Sequence, residues 1–386
     1  MKMFNKKLIT CILIVSSLLM MTLPAFAVGF DVEAKSAILM EAETGQVLFA
    51  KNKDKELPPA SMTKIMTLLL AMEAIDSGQF TLDDTVITSE FASSMGGSQI
   101  YLAPKEKMKV RTLLEAIAIA SANDACVAIG EYIGGTEGSF VAMMNQKVKE
   151  LDLKHTNFVN STGLPTDDGE HYSSAYDLAV MARGLVTKHP KVLDWTSTWI
   201  DTIRDGEFTL YNTNGLIEYY PGADGLKTGW TDEAGYCLTA TAKRDGMRLI
   251  SVVMQTDSKK SRVEESAKLL SYGFSRFDLT KVVSKGENIG EVKVKNGEKL
   301  KVAVETAKDL QAVVKTGDGE IERDVKLNKE VEAPIKQGET VGKLVLTQQD
   351  RKVGTVNLVA SKSVKKASLL TRLIRMIKEF LLGFFK

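Results

Sequence analysis

The chain has 386 residues, with 50 Lys and Arg against 49 Asp and Glu, three cysteines and three histidines. This near-neutral balance excludes the strongly basic footprint of a nucleic-acid binder. The cysteines are too few for a disulfide framework and not spaced as metal ligands, so neither a metal nor another cofactor is expected.

The first residues read as an export signal. Lys2, Lys6 and Lys7 form a basic head, Leu8 to Leu23 an apolar run, and Ala25-Phe26-Ala27 a small-residue cleavage site. That order predicts removal of residues 1–27 and export across the cytoplasmic membrane; the apolar run is short for an uncleaved anchor. Cleavage leaves 47 basic against 49 acidic residues. Cys11 leaves with the signal, while Cys126 and Cys237 remain as one bridge or two buried thiols.

Ala37 to Met40 and Val47 to Ala50, joined by Glu43-Thr44-Gly45-Gln46, read as a β-hairpin. Pro58-Pro59-Ala60-Ser61 opens an apolar helix to about Ile75, closed by Gly78. Met108 to Leu151 is mostly helical, broken at Ser121-Ala122-Asn123 and at Gly134-Gly135. A second hairpin spans Tyr236 to Ala242 and Met247 to Met254, and an amphipathic helix follows from about Arg262 to Leu270. Hairpins at both ends with helices between them predict an α/β (α+β) fold, a helix-flanked antiparallel sheet, and not a parallel βαβ array.

Composition shifts near Thr280 to short runs of Val, Lys, Glu and Gly, which predict a small all-β domain. From Ser368 onward, Leu370, Leu373, Ile374, Ile377, Phe380, Leu381 and Phe384 recur at a helical period, with Arg372, Arg375 and Lys378 opposite. That pattern suits either a helix docked on its own domain or one lying in the membrane interface with its basic side toward anionic headgroups, and the terminal position in an exported chain favours the second. The expected division is a signal over 1–27, a main domain over 28–278, a β-rich domain over 279–360 and a membrane-associating helix over 361–386.

Three short motifs carry chemistry. Ser61-Met62-Thr63-Lys64 is a Ser-x-x-Lys, whose spacing stacks hydroxyl and amine on one helical face. A serine needs a base to become a nucleophile, and lysine is a base only with its pKa lowered by burial or a neighbouring cation. Ser363-Val364-Lys365-Lys366 repeats the pattern, but in a basic linker that offers no desolvation. Ser121-Ala122-Asn123 sits in the helix break and offers a hydroxyl and a carboxamide, or merely an N-cap at Asn123. Lys227-Thr228-Gly229 precedes the second hairpin; its glycine would admit a ligand close to the strand, and its lysine would lower the pKa of Lys64 across one cleft. The duplicate Lys315-Thr316-Gly317 reads as an exposed turn. His155, His171 and His189 fall at none of these motifs and are expected in surface roles.

The order Ser-x-x-Lys, Ser-x-Asn, Lys-Thr-Gly resembles the penicillin-recognising serine enzymes, with Ala122 in place of the Asp of Ser-Asp-Asn. Pro59-Ala60 before the serine, the small middle residue, and Asn160-Ser161-Thr162-Gly163-Leu164 look most like the low-molecular-mass D-alanyl-D-alanine carboxypeptidases, sporulation-associated branch. The resemblance implies Ser61 as nucleophile, Lys64 as general base and Ser121 as proton relay to the leaving amine. It further implies Asn123 on the acyl-side amide, Lys227 as a positive field, and Thr228 with Arg262 on the terminal carboxylate. The backbone N–H groups of Ser61 and Trp230, beside Gly229, would form the oxyanion hole. The implied partners are peptidoglycan pentapeptide as substrate, β-lactams as covalent inhibitors and the outer membrane face. Rival readings are a D,D-transpeptidase or endopeptidase, a serine β-lactamase, which lacks a matching Glu-x-x-Leu-Asn loop here, and an inactive peptidoglycan-binding module.

Overall fold

The structure, a computed structural model, describes residues 30–165 and 170–383, with side chains to Lys378. The expected export signal lies outside the described residues, as do the side chains of Phe380, Leu381 and Phe384.

From Glu33 onward the chain builds a five-stranded antiparallel sheet from the two predicted hairpins and one further strand, which carries Lys227-Thr228-Gly229. β1 (Ser36–Glu41) and β2 (Val47–Lys51) form the first; β3 (Ala223–Thr231), β4 (Gly235–Arg244) and β5 (Met247–Thr256) follow. The order is β2-β1-β5-β4-β3, so strands more than two hundred residues apart join through β1 and β5, with Ile38 opposite Val252. Every residue of β1 is buried, because helices cover both faces of the sheet.

Helix α1 (Lys64–Asp76) is apolar on nearly all sides and is accordingly buried. Around it lie α2 (Val110–Ala120), α3 (Asn123–Gly134), α4 (Glu137–Glu150) and α5 (Ala175–Lys188). The last helix of this body, α6 (Lys259–Arg276), runs longer than its apolar period suggests. Ser258 caps it by accepting the N–H of Ser261 at 3.0 Å, which fixes a polar first turn the periodicity does not register. Gly273 falls inside it because a Cβ there would lie 2.4 Å from Leu249 and 2.8 Å from Leu39. The helix can approach the sheet this closely only at glycine.

Residues beyond Arg276 are almost wholly β. Phe277–Val283 pairs with Leu310–Lys315, and six further strands form a second sheet over a valine-rich core that includes Val292, Val304, Val341, Val356 and Leu358. The lysine of the second Ser-x-x-Lys plays no part with its serine: Ser363 Oγ accepts from Gln337 N–H at 2.9 Å, and Val364 bridges to Ile335. Lys315-Thr316-Gly317 is the expected turn, with Lys315 paired to Asp318.

A helix spans Leu369–Gly383, and its described apolar face is uncovered, with Leu370 68% and Ile374 57% exposed. One expectation fails here. Arg375 does not point away with the basic residues but donates to the carbonyls of Gly297 at 2.7 Å and Glu298 at 2.9 Å. Among the described residues no helix is long and apolar enough to cross a membrane. Cys126 and Cys237 are buried free thiols, which settles that alternative.

Candidate active site

The Ser-x-x-Lys serine stands in a single 3-10 turn, Ala60–Thr63, which leads directly into α1. Ser61 is partly accessible, whereas Lys64, one turn on, is fully buried. Lys64 Nζ lies 2.9 Å from Ser61 Oγ, 2.6 Å from Asn123 Oδ1 and 2.9 Å from the carbonyl of Thr162. Two of these neighbours can only accept. A neutral amine has two N–H groups and one lone pair, so Asn123 and Thr162 take the hydrogens and the lone pair is left for the Ser61 hydroxyl. Burial lowers the Lys64 pKa to about 8, against smaller opposing effects of Cys126 and Asp124. A neutral fraction of about a tenth is therefore present at pH 7, far above that of an exposed lysine.

Asn123 is not the N-cap that one reading of the break allowed. That position is taken by Ala122, with no side-chain cap, because the Asn123 carboxamide is committed elsewhere. It accepts from Lys64 and donates to the carbonyl of Gly96 at 2.6 Å. The next residue, Asp124, is buried and accepts from Leu102 N–H at 2.9 Å and Ile100 N–H at 3.2 Å, holding the 96–102 loop to α3. Ser121 ends α2 in the left-handed region, φ 65°, a conformation uncommon away from glycine and asparagine. The short break thus projects Ser121 and Asn123 from a turn instead of a helical face.

Lys227 and Thr228 are buried on β3, an edge strand of the main sheet. The Thr228 hydroxyl bonds to Thr213 Oγ1 at 2.7 Å. Arg262, also buried, donates to the carbonyl of Gly229 at 3.1 Å and that of Thr213 at 3.4 Å. Trp230 follows with its indole 51% exposed and faces Tyr236 in the strand register. One expectation about this strand is corrected. Gly229 makes room not for a ligand but for the serine turn: a Cβ there would lie 2.6 Å from the Pro59 carbonyl oxygen and 3.2 Å from Ala60 Cβ. Burial, then the Lys64 charge, then Arg262 hold the Lys227 pKa well below its ordinary value, while burial is the largest cause of the lowering at Lys64.

The structure adds Glu137, to which no motif pointed, and gives a role to Asn160 of the Asn160–Leu164 stretch. Glu137 accepts from Ser161 N–H at 2.7 Å, and Asn160 Oδ1 accepts from the N–H groups of Thr162 and Gly163 at 3.1 and 2.7 Å. Together they shape the turn that presents the Thr162 carbonyl to Lys64. The histidines also depart from expectation, since His171 and His189 are buried. His171 Nδ1 accepts from Val159 N–H at 3.2 Å, and its Nε2 lies 2.8 Å from Thr63 Oγ1. The Thr63 hydroxyl donates to the Ala60 carbonyl at 2.8 Å, so Nε2 carries the hydrogen and His171 is the neutral Nε2–H tautomer. It braces the turn bearing Ser61. Thr213 had a faint signal, a polar Asn212-Thr213-Asn214 run between apolar stretches; His171 had none.

Among the described residues no cluster of His, Cys, Asp and Glu suited to a metal ion is found. The cluster of nucleophile, desolvated amine, carboxamide and cationic strand suits covalent acyl transfer.

Comparison with known proteins follows the same line. Residues 22–258 match the D-alanyl-D-alanine carboxypeptidase family, and residues 277–366 match the C-terminal domain of penicillin-binding protein 5. The chain is 45% identical over 348 residues to D-alanyl-D-alanine carboxypeptidase DacF of Bacillus subtilis, covering 89% of each. It superposes on the crystal structure of penicillin-binding protein 5 from Haemophilus influenzae with a TM-score of 0.81 at 32% identity, over 87% of this chain and 99% of that one. Penicillin-binding protein D2 of Listeria monocytogenes, solved in an ampicillin-bound form, matches with a TM-score of 0.59 at 35% identity, over 64% of this chain and 98% of its own. Nucleophile geometry, two-part fold and these likenesses agree: the chain belongs to the D-alanyl-D-alanine carboxypeptidase family of serine peptidases.

Proposed function

We propose that this chain removes the terminal D-Ala from peptidoglycan stem pentapeptides through an acyl-enzyme on Ser61. The observation that carries this reading is the buried amine of Lys64, 2.9 Å from Ser61 Oγ with its two other neighbours acceptors only. In the first step Ser61 Oγ bonds to the penultimate D-Ala carbonyl carbon while its proton passes to Lys64. The N–H groups of Ser61 and Trp230 hold the oxyanion. As the C–N bond breaks, Ser121 hands its proton to the leaving D-Ala amine and regains one from protonated Lys64, in the field of Lys227, so that Lys64 is neutral again. Water then cleaves the ester, with Lys64 again as base.

Asn123 has one remaining amide N–H for the acyl-side carbonyl of the substrate. Lys227, Thr228 and Arg262 form the anion end. An arriving carboxylate would favour the protonated form of Lys227, and the retained cation would keep the Lys64 amine neutral. Arg262 works partly by fixing the Gly229 carbonyl and Thr213, so its share in carboxylate binding runs through the strand as well as through its charge. β3 ends the strand order, and its outer edge is where an extended peptide would lie.

The broader reading assigns residues 1–27 to export, 28–278 to the peptidase domain, 279–360 to the β-rich domain and 361–386 to peripheral attachment at the outer membrane face. The uncovered apolar face of the terminal helix supports attachment. β-Lactams would acylate Ser61 as covalent inhibitors. The functional test is release of free D-Ala from a peptide ending in D-Ala-D-Ala. One D-Ala per peptide is expected, with the shortened peptide as the other product. A shortened peptide joined instead to an added amine would mark a transpeptidase, and no release would contradict the reading.

A further inference from the structure

The terminal helix does not float free of the β-rich domain. Arg375 anchors it by two hydrogen bonds to the carbonyls of Gly297 and Glu298, and Ala367 N–H donates to Asn296 at 2.8 Å just before it begins. Between the helix and the end of the strand Asn288–Lys295 lies an open cleft of about 480 Å³. Its apolar wall comprises Val294, Leu300, Leu369, Leu373 and Met376, with Lys295 and Arg372 at the rim. Leu300, at a loop tip of the β-rich domain, is 57% exposed beside this cleft.

We propose that the membrane contact is bipartite: the 296–300 loop enters the interface beside the helix, and anionic phospholipid fills the cleft between them. This rests on the membrane reading of the helix and extends it to the domain. Two observations select a bilayer over other occupants. The apolar surface of the cleft runs directly onto the uncovered helix face, so one apolar phase can cover both. Exposed Lys299, Lys365 and Lys366 border the same edge, with Lys366 bridging Gly297, and outnumber Glu298 and Glu332 there. Such a rim complements anionic headgroups. With Arg375 as latch, the helix would set the tilt of the β-rich domain on the membrane.

The test places an environment-sensitive fluorophore on the mature full chain at Leu300→Cys and, separately, at Val325→Cys. Val325 is exposed on Glu322–Leu327, at the far end of the same six-stranded order, and both native cysteines are buried. With phosphatidylglycerol-containing vesicles, the label at 300 should shift to the blue and be quenched by brominated lipid, and the label at 325 should do neither. Leu300→Asp should weaken vesicle partitioning by about fivefold or more. Pure phosphatidylcholine vesicles should bind less; equal binding would overturn the anionic component. A chain ending at Ala367 separates the two readings. If it still sediments with vesicles, the helix reading itself fails. If truncation releases the protein but the label at 300 on the bound full chain stays in water, only the bipartite contact is overturned.

Discussion

Replacing Lys64 by Ala is expected to slow acylation of Ser61 by about a thousandfold or more, the upper part of the range for a lost general base. The loss has two sources. The hydroxyl loses the lone pair 2.9 Å away, and the carbonyl groups of Asn123 and Thr162 lose their donor in a buried site. Lys64→Arg should be nearly as slow, because a guanidinium does not give up its proton. In the unmodified protein the second-order rate constant should climb tenfold per pH unit up to about 8 and level off above it. The sign follows from burial: it disfavours the charged amine, and only the neutral amine accepts the proton. Stopped-flow acylation by a chromogenic β-lactam measures all three. A Lys64→Ala rate within tenfold of the original would remove Lys64 from the mechanism.

Gly163→Ala should be comparably damaging although position 163 carries no catalytic group. The residue has φ +80°, and a Cβ there would lie 1.8 Å from the Ala60 carbonyl oxygen and 2.3 Å from its carbon. Both are backbone atoms that no side-chain rotation can move aside. Either the 160–164 turn retreats and takes the Thr162 carbonyl from Lys64, or the serine turn shifts. Destabilisation of about 3 kcal/mol or more is expected from the combined overpacking and strain. Acylation should fall about a hundredfold, since displacement of a reacting group by an ångström costs on that order. Gly78→Ala is the matched control: φ is +76° but nothing lies within 4 Å. It should cost about 1 kcal/mol of backbone strain and leave acylation unchanged. Denaturant unfolding and the acylation assay report on both variants, and equal effects at the two positions would contradict the packing argument.

The difference between these glycines marks where the sequence was informative. Both hairpins, the helix break at Ser121 and the all-β segment were legible because each rests on local periodicity and turn chemistry. Ser61, Lys64, Asn123 and Lys227 were legible because their order along the chain is itself specific, and the structure brings Lys64 and Asn123 within 2.6 Å. What stayed hidden depends on contacts between distant segments. His171 braces Thr63 across 108 residues, and Glu137 shapes the turn at Ser161. The role of Gly229 was misread because its neighbour, the serine turn, comes from the other end of the domain. Arg375 fits the polar side of a helical pattern, and only the loop at Gly297 shows that it is spent on the protein. The tail also begins later than composition suggested: Val364 and Ala367 bond to Ile335 and Asn296, so a truncation that removes the helix alone ends at Ala367.

The central claim is that Ser61, and no other hydroxyl, is the group acylated. Its most direct test is intact-mass analysis of the mature protein after brief exposure to benzylpenicillin, followed by peptide mapping of the adduct. The structure predicts a single added penicilloyl group, carried by the peptide containing Ser61. An adduct on Ser121 or Ser363, or no adduct from a protein that still releases D-Ala, would contradict it.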